Sequence, residues 1–237
     1  MSFFSNFRSI VYSLFSKIFT SHIYRVLRVI LNSELKNGDV IIEIGPGCGS
    51  NLREINDIIE KNDCYYRCID YDNDYVAELR RNLPKVKNIE IYAGPKEGDF
   101  LSDSDTHDYR FNAPNKTATI FILMIECTML MNQEALAKKV QVLRRQISNQ
   151  GNKVHFIFAH TEFYKVSFMG WLAFYIKPYL KYITTVDFGV PIYRDDFDAF
   201  VSGFAQKTVD RVEELRIPSL ITVFGPINIV QVKCADS

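Results

Sequence analysis

The sequence has no surplus of either charge, no long apolar run and no pairing pattern among its cysteines. Lys and Arg together number 28, and so do Asp and Glu, which gives a formal net charge of zero. Because phosphate binding needs a basic surplus, nucleic acid is not expected as the main partner. No apolar run approaches the roughly 20 residues of a membrane-spanning helix, and nothing resembles a cleavable secretory signal.

The five cysteines do not form a metal-binding or disulfide pattern. Their number is odd, no two pairs have zinc-ligand spacing, and the four histidines do not cluster near them. We therefore expect buried thiols, no bound metal and an intracellular protein, either cytoplasmic or peripheral on an internal membrane. A chain of 237 residues can bury a sufficient core without either kind of cross-link.

The first 33 residues carry four basic residues and no acidic one. Apolar side chains recur at helical spacing over residues 3–19, which predicts an amphipathic helix. This helix could pack on the fold, lie in a membrane surface as an anchor, or act as a mitochondrial presequence. We predict a helical extension over 1–33, with a second helix at 23–31 leading into a main domain over 34–237.

Beyond residue 38, strand patterns alternate with helical patterns. This alternation predicts an α/β fold, a doubly wound and mostly parallel sheet with helices on both faces. The polar stretch 94–115 between two of the strands is expected to be a long loop, either functional or mobile. Seven strands are expected, at 39–44, 64–69, 89–93, 117–125, 154–159, 208–215 and 220–232, with helices at 52–59, 73–79, 134–147 and 194–201.

A glycine-rich turn follows the first predicted strand, in the order Glu43-Ile44-Gly45-Pro46-Gly47-Cys48-Gly49. Glycines at a strand-to-helix turn let the backbone approach a ligand that any side chain would exclude. No Lys-Ser or Lys-Thr follows Gly49, and the third-glycine spacing of a dinucleotide-binding loop is missing. The acid-x-Gly-x-Gly-x-Gly pattern resembles the first motif of class I methyltransferases. That resemblance implies S-adenosylmethionine as the cofactor.

Further cofactor contacts are expected at the ends of the following strands. Asp70 ends the second strand, where a carboxylate can accept both ribose hydroxyl protons, and Tyr71 follows it. Glu43 suits a ligand that carries a sulfonium and an ammonium but no phosphate. Gly94 is expected near the adenine ring and Met124 near the transferred methyl group.

His160, at the end of the fifth predicted strand, is the first candidate for a catalytic base. Asp187 could orient it, and Glu126 is a second candidate base. A structural role for the histidine and a solvated role for Glu126 remain alternatives. The aromatic segment 163–182, with the single Trp171, indicates an apolar substrate pocket.

The carboxyl half resembles the methyltransferase-like seven family of membrane-associated thiol methyltransferases. The family's acid before the histidine is Ala159 here, and the loop before the fourth strand is longer. The resemblance rests on Cys68-Ile69-Asp70, His160, Trp171, Lys177-Pro178-Tyr179, Asp187-Phe188-Gly189, Arg194-Asp195 and Gly225-Pro226-Ile227-Asn228.

This resemblance implies methyl transfer to a small apolar acceptor, first of all a thiol, with peripheral membrane contact through residues 3–19. Two alternatives remain. One is O-, N- or C-methylation of a quinone-like or lipid-like molecule. The other is a catalytically inactive protein that binds the cofactor or a partner. The sequence predicts no particular oligomeric state.

Overall fold

The structure is a computed structural model with seven strands, six α-helices and one short 3-10 helix (Tyr109–Phe111) among the residues that it describes. These residues are 21–81, 87–101, 109–125, 127, 132–161, 175, 194–205, 210–217 and 227–234. The strands are β1 (Val40–Ile44), β2 (Tyr65–Asp70), β3 (Ile89–Ala93), β4 (Thr119–Ile125), β5 (Lys153–Thr161), β6 (Arg211–Ile217) and β7 (Ile227–Lys233). The helices are α1 (Ser21–Glu34), α2 (Ser50–Lys61), α3 (Asn73–Arg81), the single turn α4 (Gly94–Glu97), α5 (Gln133–Asn149) and α6 (Arg194–Phe204).

The seven strands form one sheet in the order β3-β2-β1-β4-β5-β7-β6. Six of the strands point in one direction, and β7 runs antiparallel to them between β5 and β6. The chain winds outward from β1 to one edge and from β4 toward the other, so a crevice opens at the carboxyl ends of these two central strands. The predicted α/β fold with a seven-stranded, mostly parallel sheet is therefore confirmed.

The central strands are apolar along most of their length because helices cover both faces of the sheet. All five residues of β1 are buried. One face packs against α1, α2 and α3, and the opposite face packs against α5 and α6. Each helix contributes an apolar stripe, which in α5 consists of Leu136, Val140, Leu143 and Ile147.

Helix α1 is part of the packed core. Its residues Ile23, Leu27 and Leu31 are spaced by four and are fully buried against the sheet. On its other side Arg28 forms an ion pair with Asp57 of α2, with an N–O distance of 2.6 Å. The helix predicted at 3–19 lies outside the described residues. No helix among those described is long and apolar enough to cross a membrane, and membrane contact and a domain boundary near residue 34 stay predictions.

Element ends differ most from the sequence-based expectation in the last third of the chain. The two final strands were expected at 208–215 and 220–232, but the ladder runs over Arg211–Ile217 and Ile227–Lys233. The start of β7 is set by its pairing with the neighbouring strand, because Ile227 is the residue that lies opposite Thr161 of β5. Apolar content alone does not encode that register.

All five cysteines are buried and none forms a disulfide, as predicted. Burial raises the pKa of the Cys48, Cys64 and Cys234 thiols to about 12. These three thiols are therefore protonated at neutral pH and serve as small apolar side chains.

Candidate cofactor site

The turn between β1 and α2 requires glycine at the predicted positions. Gly45, Gly47 and Gly49 have φ values of 69°, 55° and 75°, which is left-handed backbone that side chains rarely adopt. There is also no room for a side chain at two of these glycines. A Cβ on Gly49 would lie 2.1 Å from a methyl carbon of Leu79, and one on Gly45 would lie 2.8 Å from the Cβ of Cys127. The turn thus presents bare backbone at the crevice.

Asp70 joins the end of β2 to this turn. Its Oδ2 accepts the backbone N–H of Gly47 at 2.9 Å, and its Oδ1 accepts the N–H of Asp72 at 2.9 Å. Each carboxylate oxygen can accept a further hydrogen bond from a ligand. Burial raises the pKa of Asp70 to about 6. The neighbouring Tyr71 exposes 61% of its surface, so an aromatic face stands beside the carboxylate.

Glu43 lies inside the protein, between β1, β2 and the first turn of α2. It is only 2% exposed, and its carboxyl group accepts a hydrogen bond from the hydroxyl of Tyr66. Burial raises the pKa of Glu43 to about 7, although the side chains of Tyr66 and Asn51 favour the carboxylate and act to lower this pKa. Glu43 therefore forms a buried polar pair with Tyr66, and its predicted contact with the cofactor's positive charge stays a prediction.

The segment that follows α4 brings Gly98, which the sequence analysis did not select, against Asp70. A Cβ on Gly98 would lie 1.9 Å from the carbonyl oxygen of Asp70, so only glycine permits this contact. Asp99 follows and is half-buried, with its Oδ1 accepting the N–H of Leu101 at 3.0 Å. The predicted site residue Gly94 begins the turn, with a φ of 78°. A glycine at each end of a short polar stretch was the available signal.

Two buried arginines hold the chain that follows α4. Arg110 donates to the carbonyl oxygens of Glu97 and Asp99. Arg67 of β2 in turn donates to the carbonyl oxygens of Arg110 and Asn112. Charged donors that satisfy several buried carbonyls fix an irregular segment strongly. The backbone around Asp99 is thereby tied to the central sheet.

The end of β4 forms the next part of the crevice wall. Met124 is fully buried, with Ile44 of β1 and Phe158 of β5 as its neighbours in the sheet. Beyond it, Cys127 is buried against Gly45. The contact predicted between Met124 and a transferred methyl group stays a prediction, and Glu126 lies outside the described residues.

His160 lies near the carboxyl end of β5 and is fully buried. Its ring centroid is 4.0 Å from that of Phe197 in α6. Across the ladder it faces Asn228 of β7. Asp187 and Trp171 lie outside the described residues. Among those that are described, no group of three His, Cys, Asp or Glu side chains is arranged to hold a metal ion.

No family model and no curated protein sequence matches this chain. Its structure is similar to the methyltransferase domain of bacterial CtHen1-C, which is 14% identical, with a TM-score of 0.56 over 90% of this chain and 96% of that one. A S-adenosylmethionine-dependent methyltransferase from Aquifex aeolicus is 12% identical, with a TM-score of 0.52 over 93% and 92%. The CurJ carbon methyltransferase is 11% identical, with a TM-score of 0.57 over 93% and 55%. The chain has the methyltransferase fold.

Within this methyltransferase fold, the structure brings most of the predicted cofactor residues to one place. Gly45, Gly47, Asp70 and Gly94 belong to the ends of β1, β2 and β3, on one side of the crevice. His160 belongs to β5, which is separated from β1 by β4 alone. Among the described residues, these four predicted cofactor residues and His160 therefore occupy neighbouring parts of the same sheet edge.

Proposed function

We propose that this protein is a S-adenosylmethionine-dependent methyltransferase. The observation that carries the proposal is the joint position of Asp70 and the glycine turn at the crevice between β1 and β4. Ligands of doubly wound α/β folds bind at this crevice. The similarity to known methyltransferases supports the fold, and the local chemistry of these residues supports the cofactor.

The residues at the crevice fit the chemical groups of this cofactor. Asp70 has acceptor capacity for the two ribose hydroxyl groups, and Tyr71 offers an exposed aromatic face to the adenine ring. The bare backbone of the glycine turn admits the amino-acid portion. A phosphate would meet the carboxylate of Asp70 at the same place, which disfavours a nucleotide.

When bound, the cofactor supplies an activated methyl group for in-line displacement. The chain aligns the acceptor with that group, and such positioning can lower a barrier by about 7–11 kcal/mol. In such a transfer, His160 would take the proton that the acceptor releases when it receives the methyl group. Because a free thiol has a pKa of roughly 8.5, a histidine is a sufficient base for it.

The acceptor that we propose is a small apolar molecule, with a thiol as the first choice. Support comes from the resemblance of the carboxyl half to thiol methyltransferases and from the weak base that His160 provides. Oxygen, nitrogen or carbon acceptors on quinone-like or lipid-like molecules are the second choice, because the fold also serves a carbon methyltransferase. The absence of a nucleic-acid partner rests on net charge alone and stays a prediction.

Titration calorimetry with S-adenosylmethionine and S-adenosylhomocysteine tests the cofactor. We expect micromolar binding to the wild type and binding at least about tenfold weaker in Asp70→Ala, since charge-assisted hydrogen bonds contribute about 1.5–3 kcal/mol. Asp74→Ala is the matched control, because this exposed carboxylate lies four residues away on α3. A folded wild type that binds neither compound contradicts the proposal.

Methyl transfer from radiolabelled cofactor to a panel of thiols, phenols, amines and quinones then identifies the acceptor class. Turnover with thiols supports the first choice, and turnover confined to another class replaces it with the second. Cofactor binding without transfer to any of these acceptors favours the inactive, partner-binding alternative.

A further inference from the structure

The short segment 97–100 packs directly on the end of β2 at Asp70. A Cβ on Gly98 would lie 1.9 Å from the carbonyl oxygen of Asp70 and 2.8 Å from the backbone nitrogen of Gly94. The N–H of Gly98 donates to the carbonyl oxygen of Gly94 at 2.7 Å. The segment therefore meets the residue that supports the glycine turn with no side chain between them.

Arg110 forms hydrogen bonds on both sides of Gly98. Its Nη1 donates to the carbonyl oxygen of Glu97 and, in a longer contact of 3.4 Å, to that of Asp99. Arg110 is only 4% exposed, and hydrogen bonds from a charged donor are roughly twice as strong as neutral ones. Arg110 thus holds the two residues that flank the glycine in contact with β2.

Further contacts join Arg110 and the segment to the sheet. Arg67 of β2 donates to the carbonyl oxygen of Arg110 at 3.1 Å, and its Nε forms an ion pair with Glu90 of β3 at 2.5 Å. Phe111 packs against Phe100, with their ring centroids 6.1 Å apart. Polar and apolar contacts therefore act together to fix the segment on β2 and β3.

We propose that Arg110 is a positioning residue for Asp70, and this inference rests on the function proposed above. Arg110 acts through the backbone of segment 97–100, which it holds with Gly98 against the end of β2. The carboxyl group of Asp70 is thereby kept in one place at the crevice before the cofactor binds. Arg110 does this without touching the cofactor.

The titration of Asp70 reports on this packing. Burial raises the pKa of Asp70 to about 6, although the N–H groups of Asp72 and Gly47 favour the carboxylate and act to lower this pKa. The proposed arrangement has segment 97–100 shield the carboxyl group from water. A segment that moves away from β2 should therefore let the pKa fall toward that of an exposed aspartate, about 3.9.

Other titratable groups surround Asp70 on several elements. The charge of Asp72 raises the pKa of Asp70. Asp70 in turn raises the pKa of Glu43 in β1, of Cys48 in the glycine turn and of Cys68 in β2. On α3 and on the stretch from α4 through segment 97–100, the acids and the lysine nearest to Asp70 along the chain are Asp74, Glu78, Lys96, Glu97 and Asp99. A useful test therefore changes Arg110 while leaving all of these groups in place.

Carbon-13 NMR of the aspartate carboxyl groups tests the proposal in the full-length chain without cofactor. The signal that disappears in Asp70→Asn belongs to Asp70, and we expect its wild-type midpoint near pH 6. Arg110→Met removes both hydrogen bonds to the segment and should lower this midpoint by at least about one pH unit. Arg110→Lys keeps the charge but not the planar guanidinium group, and should give a smaller shift in the same direction.

Arg144→Lys is the matched control. Arg144 is a half-buried arginine of α5 that donates to the carbonyl oxygen of Phe204 in α6 and pairs with Asp210 at 2.5 Å. This variant should lower the free energy of unfolding in urea and leave the Asp70 midpoint unchanged. The control separates the loss of a structural arginine from the loss of the contacts that flank Gly98.

Calorimetry with S-adenosylhomocysteine connects the packing to ligand binding. At pH 7 we expect about tenfold weaker binding to Arg110→Met than to the wild type, because a less fixed carboxyl group must be ordered when the ligand binds. The affinity of the wild type should fall as the pH falls through about 6. The affinity of Arg110→Met should fall only at a lower pH.

An Asp70 midpoint that is the same in the wild type and in both Arg110 variants overturns the proposal. A wild-type midpoint near pH 4 overturns it as well. If Arg110→Met does not fold, Arg110→Lys alone decides. A wild type that does not bind S-adenosylhomocysteine contradicts the proposed function instead, because the NMR titration uses no ligand and still decides whether Arg110 positions Asp70.

Discussion

At the scale of single residues, Asp70 has two roles: it holds the glycine turn in place, and it can accept hydrogen bonds from a ligand. One of its oxygens holds the backbone of Gly47, and the other caps the start of the next segment through Asp72. The carboxyl group is therefore fixed before any ligand arrives, which reduces the entropy lost on binding. Burial raises its pKa to about 6, so protonation competes with ligand binding in a mildly acidic range.

Cofactor affinity should therefore fall as the pH falls through about 6. Only the carboxylate form of Asp70 accepts two ribose hydroxyl protons, and its population drops about tenfold between pH 7 and pH 5. Calorimetry with S-adenosylhomocysteine should show a dissociation constant about tenfold higher at pH 5. Asp70→Asn, which cannot titrate, should bind weakly with a flat profile. An equally steep profile in that variant would assign the effect to another group.

At the scale of elements, the four-residue turn α4 matters because of how closely it approaches β2. Gly98 lies against the carbonyl of Asp70, and Gly94 lies against the side chain of Asn73 in α3. The side chain of Arg110 also holds this turn, because it donates a hydrogen bond to the carbonyl oxygen of Glu97. The turn thereby restrains the backbone at Asp70 from the side opposite the glycine turn.

Gly98→Ala should weaken both stability and cofactor binding. A Cβ would lie 1.9 Å from the backbone oxygen of Asp70, so the turn must move away from β2. Overpacking of this kind costs about 1–3 kcal/mol, and the shifted Asp70 should bind cofactor more weakly. Urea unfolding and calorimetry measure the two effects.

Gly203→Ala in α6 is the control for this change. A Cβ there has nothing within 4 Å, and alanine favours a helix by up to about 1 kcal/mol. This variant should be at least as stable as the wild type, with unchanged cofactor binding. Equal loss in both variants would mean that close approach at Gly98 is not the cause.

The sequence predicted the strands and turns that have a local signal, and it missed the features that depend on contacts between distant parts of the chain. The apolar run of β1 and the glycines after it define a strand and a turn from their own chemistry. The glycine at position 98 is visible in the sequence, but its role depends on contact with the carbonyl of Asp70 in β2, which no local pattern reveals. The cross-strand pairing of Asn228 with His160 likewise depends on the insertion of β7 between β5 and β6. Spacing along the chain predicted two final strands without their register.

At the scale of the whole molecule, two buried acids oppose the stability that the apolar sheet provides. Burial raises the pKa of Glu43 to about 7 and that of Asp70 to about 6, well above the values of exposed carboxyl groups. Between pH 4 and pH 7 the folded chain therefore binds more protons than the unfolded chain at these sites. Their contribution to the free energy of unfolding falls as the pH rises through this window.

Histidine titration partly hides this trend. Burial lowers the pKa of His155, so that residue makes the folded state more stable as the pH rises. A pH profile of the wild type alone would mix the two effects. A variant that removes only the Glu43 contribution separates them, and glutamine keeps the size of the side chain.

Glu43→Gln should therefore gain stability relative to the wild type as the pH rises from 5 to 8. Because Glu43 is 2% exposed and its pKa is about 7, the wild type should lose about 2 kcal/mol relative to the variant over this range. Urea unfolding at several pH values without cofactor measures the difference. Parallel profiles would show that the carboxyl group beside Tyr66 titrates like an exposed one, and Glu43 would then be a buried carboxylate at neutral pH.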